Sequence, residues 1–251
     1  MQSFTFFPRQ RTIPVVVESW GWTQQGNIKT ENQDSFLNWA EGLLWAVADG
    51  VGGSEHGGAA SHLIAKHLTR VATPDSLDTH IKNVRNELKQ INSLVHEGSQ
   101  KMGTTAASTV VVLLMGGNEA ACLWAGDSRC YLFRDGLLYQ CTRDHTLRQQ
   151  KVDQGELTVD EAKRMVQGNI ITKAVGIGED MELDEVRFSL KAGDRFLLCT
   201  DGLFNILGGE AISHYMGRQS AQAALEGFKE AIHDREQPDN ITFIVVYLSV
   251  A

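Results

Sequence analysis

Proline is scarce in this chain, with four in 251 residues, and no stretch has the Pro-, Ser- or Gly-rich composition of a linker. The length therefore reads as one domain over residues 1–251. Positive charge is also short: 23 Lys and Arg stand against 31 Asp and Glu, a net charge of −8. Proteins that grip nucleic acid usually carry a basic field, because phosphate neutralisation supplies most of their affinity, so nucleic acid is excluded as a partner. Apolar runs of about 18 residues are absent, and the N-terminal MQSFTFFPRQRTIP lacks an apolar segment of signal-peptide length. Both absences predict a cytoplasmic protein with no membrane partner. The cysteines, Cys122, Cys130, Cys141 and Cys199, include no CxxC pair, and three lie in apolar runs. Free thiols in a reducing compartment fit them better than disulfides or zinc.

What the chain does have is strands with abrupt polar ends. Val15–Trp20 and Leu43–Ala48 read as buried strands, the second stopping at Asp49-Gly50. A loop with Gly52, Gly53, Gly57 and Gly58 follows, then a helix over Ala59–Val71. Ile81, Val84, Leu88, Ile91 and Leu94 recur at spacings of three and four, which predicts an amphipathic helix whose face covers a sheet. From Thr105 the period shortens to that of strands. Thr105–Leu114, Ala120–Ala125, Cys130–Phe133 and Leu137–Cys141 are separated by turn signals, Asp135-Gly136 being the strongest. They predict an antiparallel meander of four strands. Residues 146–170 interrupt the pattern as a polar flap, with Thr158–Glu161 fitting a capping box. Strands near Glu185–Leu190 and Arg195–Cys199, helices around Glu210–Met216 and Ser220–His233, and a last strand over Ile241–Leu248 complete the chain. Strand runs with helices in separate blocks predict an α+β fold, two antiparallel sheets packed face to face with helices outside each.

Four aspartates share one context, the end or immediate beginning of a strongly apolar strand: Asp49 in AVADGVGG, Asp127 in WAGDSRC, Asp201 in FLLCTDGLF and Asp239 in PDNITFIVV. Asp34 in KTENQDSF precedes a shorter apolar segment. Any one Asp-Gly is ordinary turn chemistry. As a set, these carboxylates can converge on one rim, where they would repel unless cations lay between them. Oxygen ligands without a histidine cluster favour Mg²⁺ or Mn²⁺ over Zn²⁺.

The ordered motifs KTENQDSF, ADGVGG…GGAAS, GTTAAST, GDSRCYLFRDG, TRDHTL, NIITKAVG, CTDGLFNIL and PDNITFIVV resemble the protein phosphatase 2C (PPM) family, bacterial members above all, over about residues 20–250. The resemblance implies a four-layer αββα sandwich with metals at one end of the sheets. It implies that Asp49 bridges two Mn²⁺ or Mg²⁺ ions, that the Gly50 carbonyl meets one, and that Asp201 and Asp239 complete the other site. Asp127 and Asp201 resemble a weaker third site, and Asp34 the residue that orients the reacting water. A water between two divalent ions yields hydroxide near neutral pH, which would attack phosphorus in line without a phosphoenzyme. The implied activity is hydrolysis of phosphoserine and phosphothreonine on proteins, a serine/threonine kinase or its targets among them, by a monomer.

Three positions depart from the family pattern. Lys29 stands where an arginine usually clamps the substrate phosphate, keeping the charge but losing the bidentate fork; Arg129 or Lys173 are other candidate cations. Gln33 replaces a glutamate before Asp34. Val51 follows the first Asp-Gly, where animal members carry a histidine; His56 is a substitute or an ordinary loop residue. His145 anchors the flap or caps local structure. Lys29 and Gln33 keep open the alternative of a phosphoprotein-binding pseudophosphatase, and the flap leaves open a second, a phosphatase of a small phosphorylated metabolite.

Overall fold

The computed structural model describes residues 2–6, 15–51 and 57–250. In chain order its elements are β1 (Gln2–Phe6), β2 (Val15–Gln24), β3 (Asp34–Trp39), β4 (Leu44–Val51), α1 (Gly57–Leu68), α2 (Leu77–Met102), β5 (Ala107–Ser108), β6 (Val110–Gly116), β7 (Glu119–Ala125), β8 (Arg129–Arg134) and β9 (Leu137–Gln140). There follow α3 (Leu147–Asp153), α4 (Val159–Lys163), β10 (Asp184–Ser189), β11 (Arg195–Cys199), α5 (Asp201–Ile206), α6 (Gly209–Met216), α7 (Ala221–His233) and β12 (Ile241–Val250). The strands form two antiparallel sheets, ordered β1-β2-β12-β11-β8-β9 and β10-β7-β6-β4-β3, with β5 on β4.

Three apolar layers separate four structural ones. The side chains of β6 show why: Val110, Val112 and Leu114 pack towards α1 and α2, while Val111, Leu113 and Met115 enter the layer between the sheets. A strand wetted on neither face has no polar alternation to keep. In β12, Ile244, Val246 and Leu248 face the other sheet and Phe243, Val245 and Tyr247 face the α5–α7 block. The αββα sandwich expected from the sequence is the architecture observed.

Helix α2 begins with Ser76 capping the Thr79 N–H and ends at Gly103, whose φ of 64° is the left-handed closure that favours glycine. It spans 26 residues, longer than the apolar stripe indicated. Leu94 is exposed and Val95 takes its place, because the stripe continues from Ile91 by four residues rather than three. The predicted meander is also corrected. Strand β7 pairs with β6 and β10, whereas β8 pairs with β11 and β9. The turn at 126–128 therefore carries the chain from one sheet to the other; Gly126, at φ 109°, packs so closely on Thr109 that a side chain would clash. The Asp135-Gly136 turn is as expected, with both residues at positive φ (54° and 79°) joining β8 to β9. Helix α5 follows β11 directly and has no counterpart among the predicted elements. Gly52, Gly53 and His56 lie outside the described residues.

Candidate active site

The two sheets each bring acidic residues to one end of the sandwich. Asp34 opens β3 and sits directly opposite Asp49 in the β3–β4 register. From the facing sheet, Asp201 follows β11 at the start of α5, and Asp239 precedes β12. Asp127 occupies the turn that crosses between the sheets.

Backbone bonds fix these positions. Asp49 donates its N–H to Thr109 Oγ1 at 3.0 Å. Its carbonyl accepts from the Thr109 N–H at 2.9 Å and from Ser108 Oγ at 3.0 Å. Thr109 Oγ1 also lies 2.7 Å from Ser128 Oγ, so one buried hydroxyl ties Asp49 to the turn that holds Asp127. Thr200 is the N-cap residue of α5, but its hydroxyl does not cap the helix. It donates instead to Asp34 Oδ2 at 2.9 Å, across the two sheets. Asn240 is a third tie: its Oδ1 accepts from the Gln33 N–H at 2.9 Å, and its Nδ2 donates to the carbonyls of Gln25 and Glu31 at 2.5 and 3.1 Å. It thereby pins the segment carrying Lys29 against the residue after Asp239. Sequence reasoning missed Thr109, Thr200 and Asn240 as positioning residues, although each lies in a quoted motif.

Gly50 and Gly202 are glycines for reasons of contact. A Cβ on Gly50 would collide with the Gly57 carbonyl oxygen and lie 2.7 Å from that of Gln33. One on Gly202 would strike the Asn240 carbonyl. The Asp-Gly pairs are thus the points where rim segments touch backbone to backbone.

The carboxylates strain against one another. Burial, then the charges of Asp34, Asp201, Asp127 and Asp239, hold Asp49 well above the usual carboxylate range. Asp34 is pushed up to about 7, chiefly by burial, although bonds from Thr242 and Thr200 oppose the shift. Burial and the charge of Asp201 lift Asp127 to about 7. Burial and Asp239 lift Asp201 to about 6, with Lys29 and the Asn205 amide pulling it down. Lys29 joins this ring: its Nζ lies 2.8 Å from Asp239 Oδ1. Burial, which lowers its pKa, is outweighed by the bond to Asp239 and the charges of Asp239, Asp49 and Asp201.

This donor set fits hard divalent cations. Asp34 Oδ1 is buried with no hydrogen-bond partner, an acceptor left unused beside the other rim carboxylates. The remaining donors are carboxylate and backbone oxygens, the ligands that Mg²⁺ and Mn²⁺ prefer. Among the described residues no three acidic, histidine or cysteine side chains close on a single point. Ions of this kind need only one or two carboxylates each and keep several waters.

Other expected residues fall elsewhere. Arg129 is committed: it forks onto Asp144 at 2.9 and 2.6 Å, donates to the Tyr131 hydroxyl at 2.9 Å, and lies 3.6 Å from the centre of the Phe204 ring. Lys173 pairs with Asp184 at 2.8 Å. Both, like Lys29, already hold a carboxylate partner. Gln33 donates to Glu31 Oε1 at 2.7 Å, keeping a carboxylate beside the position where the family's glutamate is absent. His145 accepts from the Gly126 N–H at 3.1 Å, stacks on Trp124, and has its backbone bonded to Gly126 and Thr172. It anchors the root of the flap. The flap, with α3 and α4, overhangs a cleft of about 500 Å³ that has Asp127 and Asp201 at one side. Cys122, Cys130, Cys141 and Cys199 are free, and three are buried. Among the described residues no helix is long and apolar enough to cross a membrane.

Two facing antiparallel sheets with flanking helices and a rim of strand-end carboxylates define an αββα sandwich with an acidic site at one end. The signature of the family described as protein phosphatase 2C matches residues 26–235, and the chain belongs to that family. It is 31% identical over 229 residues to the serine/threonine protein phosphatase PstP of Mycobacterium tuberculosis, covering 89% of this chain and 43% of that one. The chain thus spans about two fifths of that relative's length. Among solved structures, PppA, a key regulatory component of T6SS in Pseudomonas aeruginosa, superposes with a TM-score of 0.86 at 34% identity, covering 92% of this chain and 97% of that one. The catalytic domain of PstP in complex with two manganese ions superposes with a TM-score of 0.83 at 28% identity, covering 94% and 99%.

Proposed function

We propose that this chain hydrolyses phosphoserine and phosphothreonine on proteins, reversing the work of a serine/threonine kinase. The observation that carries the reading is the rim itself: Asp34, Asp49, Asp127 and Asp201 crowd together at the cost of raised pKa values. A protein without use for cations there would gain stability by losing them. In this reading Asp49, the Gly50 carbonyl, Asp201 and Asp239 hold two Mn²⁺ or Mg²⁺ ions, and Asp127 with Asp201 holds a weaker third. Bound there, the ions supply hydroxide at neutral pH and offset charge on the phosphate.

The protein's own groups do the rest. Asp34, fixed through Oδ2 by Thr200, keeps an unpartnered Oδ1, which would accept a hydrogen bond from the attacking water and orient it. Lys29, half exposed beside Asp239, offers the phosphate a mobile point charge. Asn240 holds the Lys29 segment and Asp239 in register. That PppA is a key regulatory component of T6SS supports a signalling protein, rather than a metabolite, as substrate. Incubation with a phosphothreonine peptide and a phosphorylated kinase domain, with EDTA and then with added Mn²⁺, tests the proposal. Release of phosphate only with the cation is expected; full turnover by thoroughly demetallated protein would sink the mechanism.

A further inference from the structure

The cleft beneath the flap has one wall that the reaction itself does not use. Three cations line it: Arg129, Arg148 and Lys163. Arg129 is saturated by Asp144, Tyr131 and Phe204, and Lys163 pairs with Asp160 at 3.2 Å on the exposed side of α4. Arg148 differs. Its backbone is held by the Gly168 carbonyl at 3.0 Å, yet its Nε is buried without a hydrogen-bond partner. Its guanidinium makes no ion pair among the described residues. Gly168 leaves it room, since a Cβ there would lie 2.9 Å from Nε. Val152 and Val159 give the same cleft an apolar lining. The buried Nε is closed to a ligand, but the terminal nitrogens of this half-buried, cleft-lining arginine have no acid among the described residues and are left to receive an oxyanion.

We infer that Arg148 is a specificity residue that receives an acidic side chain, glutamate or a second phosphorylated residue, flanking the phosphothreonine. The inference rests on the phosphatase reading. One cleft contains both the Asp127–Asp201 side of the rim and Arg148, so an extended peptide with its phosphate at the rim lays a neighbouring side chain against the flap. The stem of that side chain packs on Val152 and Val159, and its oxygens meet the guanidinium fork. An uncharged flank leaves Arg148 unpaired, and a basic one repels it.

The test uses the Mn²⁺-loaded protein and matched phosphothreonine peptides with Glu, phosphoserine, Gln or Lys on either side. The Glu and phosphoserine peptides should show a KM about fivefold to tenfold below that of the Gln peptide at equal kcat, the scale of a partly solvated charge-assisted bond. Arg148→Gln should erase that preference while leaving the Gln peptide and para-nitrophenyl phosphate unchanged, and Arg148→Lys should keep part of it. Whichever of the Glu and phosphoserine peptides has the lower KM identifies the preferred oxyanion source. Anisotropy with peptides bearing a non-hydrolysable phosphonate measures the same preference without turnover, so a failure of the phosphatase reading remains distinguishable. Equal affinity for acidic and neutral peptides, or a preference that survives Arg148→Gln, overturns the inference. So does an equal loss on every peptide, which would place Arg148 on the reacting phosphate instead.

Discussion

Asn240→Ala should unfasten the active-site rim without touching a proposed cation ligand. The amide of Asn240, which is 3% exposed, makes three hydrogen bonds, to Gln33, Gln25 and Glu31. Truncation strands one N–H and two carbonyls. A buried group left unpaired costs about 1–3 kcal/mol, and one that water reaches costs less. Glu31 is exposed and will recover a partner, so the expected loss is about 2–4 kcal/mol. With a urea slope of about 3 kcal/mol/M, the unfolding midpoint should fall by about 1 M. The loosened segment ends at Asp34, and Asp239 adjoins the mutated residue, so Mn²⁺ affinity by calorimetry should fall about tenfold as the rim loses preorganisation. Asn240→Asp separates the causes. It keeps an acceptor for Gln33, loses both donated bonds and adds a carboxylate to the ring, so it should destabilise the metal-free protein more than alanine does and recover more stability when Mn²⁺ is added. If Asn240→Ala leaves both midpoint and affinity at wild-type values, this amide does not hold the rim.

Asp49→Asn or Asp201→Asn should lower turnover by orders of magnitude with the fold intact by circular dichroism. Metal-free Asp49→Asn should nonetheless be more stable than metal-free wild type at pH 7.5. A carboxyl whose folded pKa is raised binds its proton more tightly when folded, so its contribution to stability declines as pH rises from about 4 through the folded value; the mutant's advantage should therefore shrink towards pH 4 in urea melts. Asp127→Ala should keep two tightly held ions yet lose most turnover, and an unchanged third ion at high Mn²⁺ would contradict its assignment. Lys29→Ala should reduce kcat/KM about tenfold or more, with Lys29→Arg at or above wild type; unchanged kinetics in the alanine variant would leave Lys29 as the partner of Asp239 alone.

The candidate site was legible in the sequence where chemistry and strand ends coincide. Asp49, Asp201 and Asp239 each abut a strand whose neighbours are apolar on both faces, and such a junction can be read one motif at a time. What holds them was not legible. Thr200 reaches Asp34 across 166 residues, and Asn240 reaches Gln33 across 207. No local pattern encodes bonds of that reach. Sheet membership was hidden for a related reason: a three-residue turn looks the same in sequence whether its strands bond edge to edge or face each other across a core. Helix α5 was concealed because it is only six residues long and opens on Asp201-Gly202, a pair that reads as a turn. Lys29 looked like a departure in isolation; its place beside Asp239 needed the fold.

Strand β12 has a bearing on when the protein can act. It lies inside its sheet, between β2 and β11, although it comes after every other described strand. Until it inserts, β2 and β11 have no bond to each other, and the Thr200–Thr242 pair that seats Asp34's donor cannot form. A chain cut short before residue 239 thus lacks Asp239 and the strand that joins β2 to β11. Pairings this distant in sequence form late and slowly. On the phosphatase reading, activity should arise only once β12 has joined β2 to β11.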